Sequence, residues 1–261
     1  MSTDRTRWIL YNQYEADLCR IRYPYVLSRS DGALDFGAWL DFNLTYVHLI
    51  SRSVLARTTG SIGIETAERI RAAAEQLFAA RGFAAVSMRE IAGAVGVQAA
   101  ALYNHFSNKQ ALLEDLLVSH MESLIAAWKA EADANETAGR ALERFARFHI
   151  RYHIDRSDAV FISYMELRNL EPDNFRRVEN LRKTYEAFVV DILEDGRASG
   201  EFELSDTRIT AMAIIAMLTG VNTWYRSRGR LSLAEIEDIY TKMVLRSAGT
   251  RQREASCLAA E

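Results

Sequence analysis

Turn-forming residues are scarce in this chain. Its 261 residues include only two prolines and thirteen glycines, whereas average usage in this length gives about 13 prolines and about 18 glycines. A β-sandwich or barrel needs a turn signal every few residues, so the composition argues against an all-β fold. It also excludes collagen-like chains and disordered chains rich in proline and glycine. The composition therefore favours an all-α fold of long helices with few breakers.

Cysteines and long apolar runs are scarce as well. Cys19 and Cys257 lie at opposite ends of the chain, and this spacing suits neither a disulfide framework nor a zinc site, so we expect a protein of the reducing cytoplasm. The N-terminal residues lack the apolar core and the cleavage site of a secretory signal. The longest apolar run is Ala211–Leu218. A membrane span needs about 18 apolar residues, so we expect no membrane partner.

Basic residues are not in excess, because the formal net charge is −3. A DNA-binding protein is usually basic, so this value alone argues against nucleic acid. The charge is uneven, however: residues 61–111 hold five Lys and Arg against four Asp and Glu, whereas residues 112–261 hold twenty against twenty-five. An anionic partner should therefore bind the front half of the chain. The small positive excess there predicts a DNA affinity that fades quickly with added salt.

A helical pattern begins at Ile64 and is punctuated by glycines. The capping box Ser87–Glu90 predicts a helix that begins at Met88 and stops at Gly96, only eight residues on. A further short helix is predicted from Val97 to about residue 106. Two short helices joined at a glycine form a helix-turn-helix, whose second helix fits a DNA major groove. The helix before these two has one apolar stripe, which consists of Ile70, Ala74, Leu77 and Phe78.

These residues resemble a known family. The stretch from Thr66 to Leu113 is similar to the DNA-binding domain of the TetR family of transcriptional regulators, and the run AGAVGVQAAALYNHFSNK is its most specific part. The resemblance implies a DNA-binding domain at residues 64–124, with the helix-turn-helix at about 87–106, and a double-stranded DNA operator as partner. The DNA-contact residues that it implies are Ser87, Gln98, Ala99, Ala101, Tyr103, Asn104, His105 and Lys109.

The resemblance assigns different roles to these positions. Ser87 is expected to offer its hydroxyl to a phosphate, and Lys109 lies beside a helix N-terminus, where free N–H groups make a phosphate site. The family usually has Ser or Thr at the position of Gln98 and a hydroxyl residue at that of Ala101. Here the recognition helix begins with a poor cap and then alanines, which leaves few side chains for base readout. We therefore expect operator choice to depend on DNA shape more than on base contacts.

Further helices are predicted over residues 109–133, 137–154, 157–169, 173–198, 206–227 and 233–248. Capping boxes at Ser107–Gln110 and Ser232–Glu235 open the first and the last of them. The last two helices hold more apolar surface than one helix layer can use. In the TetR family the corresponding pair forms a four-helix bundle with the partner subunit. We therefore expect a homodimer through these two helices, with an ordinary monomer core as the alternative.

Residues 125–251 are expected to form a ligand-binding and dimerisation domain, followed by a tail at 252–261. The segments ELRNL, RRVENLRKTYEAFVVDILEDGRASGEF and WYRSRGRLSLAEIEDIYTKMVL are similar to a TetR subgroup that responds to acyl-coenzyme A thioesters. That likeness implies an anionic effector with a hydrophobic tail, for which arginines are phosphate partners. The candidate effector contacts are Phe148, Tyr152, Phe161, Tyr164, Met165, Arg168, Arg176, Arg177, Tyr185 and Trp224, with Arg182 as a further arginine. The aromatic members are also typical of an ordinary helical core.

Three negative expectations complete the prediction. His149 and His153 are spaced i, i+4, but no third ligand has a matching spacing, so we expect no metal and no cofactor. No catalytic triad, phosphate loop or paired carboxylate site is present, so we expect no enzyme. Residues 1–63 carry no chemical motif and predict a loosely packed extension or an over-called start codon, rather than an arm whose Arg52 and Arg57 reach a DNA groove.

The main hypothesis is a ligand-responsive repressor that releases its operator when a small molecule binds. The ligand acts only through its different affinities for two conformations. One alternative is a regulator of efflux or stress genes that responds to a hydrophobic drug-like ligand. The other is a helical interaction module that binds protein instead of DNA.

Overall fold

The computed structural model describes residues 61–131 and 136–250, and every regular element in these ranges is helical. The elements are α1 (Ser61–Arg81), α2 (Met88–Val95), α3 (Ala99–Tyr103), α4 (Lys109–Glu131), α5 (Ala138–Asp155), α6 (Ser157–Met165), a 3-10 turn (Leu167–Asn169), α7 (Pro172–Ala198), α8 (Thr207–Trp224) and α9 (Leu233–Ser247). The prediction of an all-α fold is confirmed. Nearly all of the predicted extension at 1–63, and the tail at 252–261, lie outside the described residues.

By its internal contacts the chain divides into two compact units, Met1–Arg69 and Ile70–Glu261. The structure describes the first unit only over the beginning of α1. Within the second unit we use the name head for residues 70–116 and the name body for residues 117–250. None of the helices given above combines the length and the apolarity that crossing a bilayer requires.

The ends of the helices follow their capping residues. Ser87 and Ser232 form two of the three predicted capping boxes, each with a glutamate three residues on. The capping box predicted at Ser107 is wrong, because α4 begins at Lys109 and the side chain of Asn108 accepts the Ala111 N–H at 2.8 Å. Asparagine caps a helix as well as serine does, so the cap lies at Asn108, one residue after its predicted position.

Three predicted helices are shorter in the structure, and one of them is α8, which ends at Trp224 instead of residue 227. The recognition helix runs only over Ala99–Tyr103 instead of 97–106, and its N-cap Gln98 makes no side-chain cap bond. Helix α6 ends at Met165 instead of continuing to residue 169. Leu170 and Glu171 are extended, with ψ angles of 143° and 153°. Because Glu171 precedes a proline, the α-helical conformation is disfavoured there, and α7 starts anew at Pro172.

Helix α5 lies at the centre of the body. It packs against α7, α8 and α9, and it also contacts α4 and α6. Its buried side chains include Leu142, Phe145 and Ile150, which are completely inaccessible to solvent. Helix α4 begins in the head at Lys109 and continues into the body, where it packs against α6 and α7. One continuous helix therefore belongs to both parts.

Candidate DNA-binding surface and effector cavity

The turn between α2 and α3 depends on one glycine. Gly96 has a φ of 76° and a ψ of 31°, the left-handed conformation in which any residue with a Cβ is strained. No atom lies within 4 Å of the place where a Cβ would stand, so the backbone angle rather than space requires glycine here. The turn lets Ile91 and Val95 of α2 and Leu102 of α3 become buried together. This is the geometry of a helix-turn-helix.

The short helix α3 presents a polar edge to solvent. Tyr103 is 50% exposed, and Gln98, Asn104 and His105 are exposed as well. The Gln98 amide makes no cap bond, so it is available to another partner. The predicted contacts Ala99 and Ala101 are half-buried. The predicted DNA-contact residues of this segment thus lie on or beside one exposed surface. Its alanines have no side-chain groups that could form hydrogen bonds with bases.

Lys109 and Ser87 are already bonded within the head. The Lys109 ammonium donates to the carbonyl oxygens of Phe83 at 2.8 Å and Val86 at 2.9 Å, and it lies 4.2 Å from the centre of the Phe83 ring. Ser87 Oγ donates to Glu90 Oε2 at 2.8 Å and accepts the Glu90 N–H at 3.3 Å. Bonds from Ser87, and then the nearby Arg81, lower the pKa of Glu90 to about 2. Both predicted phosphate ligands therefore also fix the loop that precedes α2.

A small cavity of about 70 Å³ lies in the body. Helices α4, α5, α6, α7 and α8 all contribute to its wall, which is formed by His120, Met121, Leu124, His149, His153, Ser163, Tyr164, Arg182, Tyr185, Glu186 and Ile215. A drug-sized ligand occupies a pocket of about 300–1,000 Å³. The cavity is too small for such a ligand in this conformation, so binding one requires the helices to separate.

His149 lies at the centre of a hydrogen-bond chain on the cavity wall. One ring nitrogen, Nδ1, lies 3.1 Å from the Tyr185 hydroxyl, and the other, Nε2, lies 2.9 Å from the Thr219 hydroxyl. Thr219 in turn bonds the Tyr164 hydroxyl at 3.2 Å. Burial, and then the neighbouring His120, lower the pKa of His149 to about 3. Burial also raises the pKa of Tyr185 well above its ordinary value. Both side chains are therefore neutral at physiological pH.

His153 and His120 complete the polar part of the wall. His153 stacks on His149 with 3.8 Å between ring centres, and its Nδ1 donates to the His149 carbonyl at 2.8 Å. Burial, followed by the two other histidines, lowers the pKa of His153 well below its ordinary value. Burial and then Arg156 and Arg182 lower the pKa of His120 to about 4. Within residues 61–131 and 136–250, no group of three or more His, Cys, Asp and Glu side chains is arranged to hold a metal ion.

Known protein families match both the head and the body of the chain. Residues 70–116 match the family model described as bacterial regulatory proteins of the tetR family, and residues 135–248 match the model described as tetracyclin repressor-like, C-terminal domain. The HTH-type transcriptional repressor KstR2 of Mycolicibacterium smegmatis is 30% identical over 179 residues, which are 66% of this chain and 85% of that protein. The chain belongs to the TetR family.

Solved structures show the same TetR fold. A bacterial regulatory protein of this family from Rhodococcus RHA1 is 29% identical, with a TM-score of 0.68 over 71% of this chain and 97% of that one. AibR in complex with isovaleryl coenzyme A and operator DNA is 24% identical, with a TM-score of 0.63 over 68% of this chain and 97% of that one. The prediction of a DNA-binding transcriptional regulator of the TetR family is confirmed. KstR2 is a transcriptional repressor, and the Rhodococcus protein is a regulatory protein.

The predicted effector contacts of this TetR protein fall in several places. Tyr164, Tyr185 and the additional Arg182 line the cavity. Tyr152 is buried beside the cavity without lining it, and Phe148 lines a separate open cleft instead. Phe161 and Met165 are half-buried, and Arg168 is exposed.

Three of the predicted contacts have surface partners. Arg176 pairs with Asp173, and Arg177 pairs with Glu114 at 3.1 Å, both on the surface. Trp224 is 43% exposed and stacks on Tyr240 with 6.2 Å between ring centres. The cavity as it stands therefore uses only some of the predicted residues.

Sequence reasoning missed part of the polar wall. His149 and His153 belong to a mixed aromatic and polar set that could line a cavity, but they were not named as effector contacts, and His120 was not considered. His120 lies in the buried stripe of α4, next to Met121 and one turn before Leu124. A single polar residue in such a stripe is the signal that points to it, because buried polar groups need a reason to persist. Glu186 gives no comparable signal, since its position shows only in three dimensions.

Proposed function

We propose that this chain is a homodimeric repressor that leaves its operator DNA when an effector enters the body. The observation that carries the proposal is the exposed edge of α3, with Gln98, Tyr103, Asn104 and His105 placed by the left-handed turn at Gly96. A helix presented in this way fits a DNA major groove. Gln98 is suited to pair with adenine, and the half-buried alanines of α3 leave the remaining specificity to DNA shape. The protein then acts in the cytoplasm, where bacterial DNA lies.

A second copy of this chain is proposed to cover an apolar face of α8 and α9. Most of the exposed large apolar side chains in the described residues lie on these two helices: Ile209, Met212, Trp224, Ile239 and Met243. Ile209 is 62% exposed and Met212 is 50% exposed. A two-fold dimer places two recognition helices about 34–36 Å apart, one helical turn of DNA.

The effector is proposed to be an acyl-coenzyme A thioester. Support comes from the resemblance of the body to acyl-coenzyme A-responsive regulators, and from AibR, which shares the fold and binds isovaleryl coenzyme A. Arg182 is the arginine at the cavity: it donates to the Ser163 carbonyl at 3.2 Å and lies 4.6 Å from the centre of the Tyr164 ring. A guanidinium there is suited to meet the polar end of the thioester, with the acyl chain inside.

The route from the cavity to the head is proposed to run through α6 and α4. Ser163 and Tyr164 of α6 line the cavity, and the buried Glu166, directly after α6, accepts the Phe83 N–H at 3.1 Å. Lys109, at the start of α4, holds the carbonyl of the same Phe83. An effector that separates α4 from α6 therefore pulls on both sides of the loop before α2. The two recognition helices then lose the spacing that the operator requires.

Fluorescence anisotropy with labelled DNA from the region upstream of the gene tests this proposal. The wild type should bind that DNA more tightly than random DNA at low salt, and Tyr103→Ala should weaken binding about tenfold. Gln98→Ala should relax the preference at one base pair by about 1–3 kcal/mol. Lys183→Ala, which removes an exposed lysine paired with Glu179 in the body, is the matched control. Equal affinity for upstream and random DNA contradicts the proposal, and favours an interaction module if a protein partner binds instead.

Two further measurements test the dimer and the effector. Native mass spectrometry of the purified protein should give the mass of a dimer, together with any co-purified small molecule. Octanoyl-coenzyme A should release the labelled DNA, whereas free coenzyme A should not, because the acyl chain supplies the differential affinity. Release by an uncharged aromatic dye but not by octanoyl-coenzyme A supports the drug-responsive alternative.

A further inference from the structure

Two histidines and a tyrosine at one corner of the cavity have polar atoms without a hydrogen-bond partner among the described residues. His120 is 8% exposed, lines the cavity and makes no hydrogen bond within the described part of the chain. His153 is 3% exposed, and only its Nδ1 is bonded among those residues. Beside them, the buried Tyr152 hydroxyl also lacks a partner, and its ring lies 6.2 Å from that of His120. An unsatisfied buried polar group such as the Tyr152 hydroxyl costs about 1–3 kcal/mol. The unbonded nitrogens of His120 and His153 retain some accessible surface at the cavity, so a molecule that enters it can bond them.

The bonding of His153 determines what its free nitrogen requires. A carbonyl oxygen only accepts hydrogen bonds, so the Nδ1 that bonds the His149 carbonyl carries the proton. The ring is neutral, since burial holds the pKa of His153 far below its ordinary value. Nε2 is therefore a bare acceptor that requires a donor. Ketone, ester, thioester and carboxylate groups have no proton to offer it.

His120 supplies the complementary requirement. Its neutral ring carries one N–H donor, and its ring centre lies 6.4 Å from that of His153. Two hydrogen bonds through one shared oxygen span up to about 5.6 Å between the nitrogens, which fits this separation. Most other polar groups of the wall have partners: His149, Tyr164 and Tyr185 are linked through Thr219, Ser163 donates to the Val160 carbonyl, and Arg182 donates to the Ser163 carbonyl. Glu186 also lines the wall, and the remaining lining residues, Met121, Leu124 and Ile215, are apolar.

We propose that the effector brings a hydroxyl group on an apolar body into this cavity. The hydroxyl donates its proton to His153 Nε2, and its oxygen accepts the N–H of His120. This inference rests on the proposed function, since it takes the cavity as the effector site. It narrows the effector class: a thioester with a hydroxylated acyl group should bind here more tightly than one with a plain or a keto acyl group.

Cyclohexanol and cyclohexanone are suitable probes, because they share one shape and differ in whether the oxygen carries a proton. At about −0.3 kcal/mol per heavy atom, the value for drug-sized ligands, molecules of about seven heavy atoms have dissociation constants of about 30 mM or lower. Each is titrated into the full-length protein while the histidine ring nitrogens are followed by NMR. The chain has only five histidines, so single substitutions assign the signals. Cyclohexanol should bind at least about fivefold more tightly and shift the Nε2 signal of His153, because one neutral hydrogen bond is worth about 1 kcal/mol.

Single substitutions identify the histidines that cause the preference for cyclohexanol over cyclohexanone. His153→Leu and His120→Leu should each remove most of the preference for cyclohexanol, whereas His105→Leu, an exposed histidine of the head, should retain it. Equal or tighter binding of cyclohexanone, a preference that survives in His153→Leu, or no saturation by cyclohexanol overturns the proposal. The last result indicates that water alone bridges the two rings. If His153→Leu does not fold, the wild-type comparison and His120→Leu still decide.

Operator binding measured on the same samples separates this inference from the function on which it rests. A wild type that binds upstream DNA specifically, but does not distinguish the two probes, contradicts only the hydroxyl. A wild type that distinguishes the probes without binding DNA contradicts the proposed repressor and leaves the cavity chemistry standing.

Discussion

Polar side chains of the head have hydrogen-bond partners within the protein, whereas some polar side chains of the cavity do not. In the head, Lys109 donates two hydrogen bonds to loop carbonyls, and Ser87 is closed within its capping box. In the cavity, His120 and one nitrogen of His153 are buried without a partner among the described residues. The polar groups of the head therefore stabilise the fold before any DNA arrives. Those of the cavity lower the free energy only when something enters.

The difference follows from what each region has to do. A DNA-reading helix as short as α3 needs a rigid support, and bonds from Lys109 to the preceding loop supply one. A cavity that switches a protein needs different free energies with and without its ligand. Unsatisfied polar groups provide that difference, since the ligand removes their cost. Replacing a polar side chain by an apolar one should therefore lower the stability of the protein in the head, but leave it unchanged or raise it at the cavity.

Acidification should produce the largest effect, and it acts on the cavity. The folded pKa is about 4 for His120 and about 3 for His149, and burial lowers that of His153 as well. An unfolded histidine has a pKa of about 6.5, so below that value the unfolded state binds more protons. The free energy of unfolding should therefore fall from about pH 6.5 downward, by up to about 1.4 kcal/mol per pH unit for each histidine.

Urea unfolding at a series of pH values between 7 and 5 measures this loss. His120→Leu is the matched variant, because it removes one of the three groups and should make the slope shallower by that group's share. A slope that stays flat over this window, or one that His120→Leu leaves unchanged, contradicts the buried neutral histidines.

Lys109→Met should produce the next largest effect, and it acts on the head. The substitution keeps the length of the side chain but leaves the Phe83 and Val86 carbonyls without their donor. We expect the free energy of unfolding to fall by about 2 kcal/mol, and operator affinity to fall with it. Lys183→Met in the body is the control. If Lys109 is only a phosphate ligand, the variant instead keeps its stability and lowers the salt slope of binding by about one.

Features that depend on local chemistry were predictable from the sequence. The capping boxes at Ser87 and Ser232 and the left-handed Gly96 are examples, since each is decided by side chains within a few residues. The helix-turn-helix followed from Ser87 and Gly96, whereas the all-α fold followed from the scarcity of proline and glycine. The register error at Asn108 has the same origin: two good capping residues stand side by side, and the choice between them depends on the packing of α4.

The cavity was predictable only in part, because it is built from side chains far apart in sequence. Of the predicted effector contacts, Tyr164 and Tyr185 line the cavity, but Trp224 does not. An aromatic residue on an amphipathic helix looks the same whether it faces a cavity or an exposed surface. Arg176 and Arg177 form ion pairs with Asp173 and Glu114 at the surface instead of lining the cavity. Glu114 is 63 residues from Arg177, so no local pattern reveals that pair.

Glu166→Ala should produce a smaller effect, at the connection between the two regions. It leaves the buried Phe83 N–H without its acceptor and removes the partner of Asn169. We expect the Phe83 amide to exchange about tenfold faster with deuterium, which corresponds to about 1.4 kcal/mol. Hydrogen-exchange mass spectrometry of the peptide before α2 measures it. Glu171→Ala is the control, since that carboxylate makes no side-chain cap bond. Equal exchange in both variants contradicts a stabilising bond between Glu166 and the Phe83 N–H.

His120→Leu at neutral pH should have the smallest effect and the opposite sign. Leucine fills about the same volume and removes a buried ring that makes no hydrogen bond within the described residues. Replacing such a group by an apolar one is neutral or stabilising, so the unfolding free energy should stay unchanged or rise by up to about 1 kcal/mol. The same substitution should reduce the response to a hydroxylated effector, because function and stability compete at such positions. Thermal unfolding of His120→Leu beside Lys109→Met makes the test direct. A clear loss of stability in His120→Leu indicates that the ring is bonded through water, and the contrast between head and cavity then disappears.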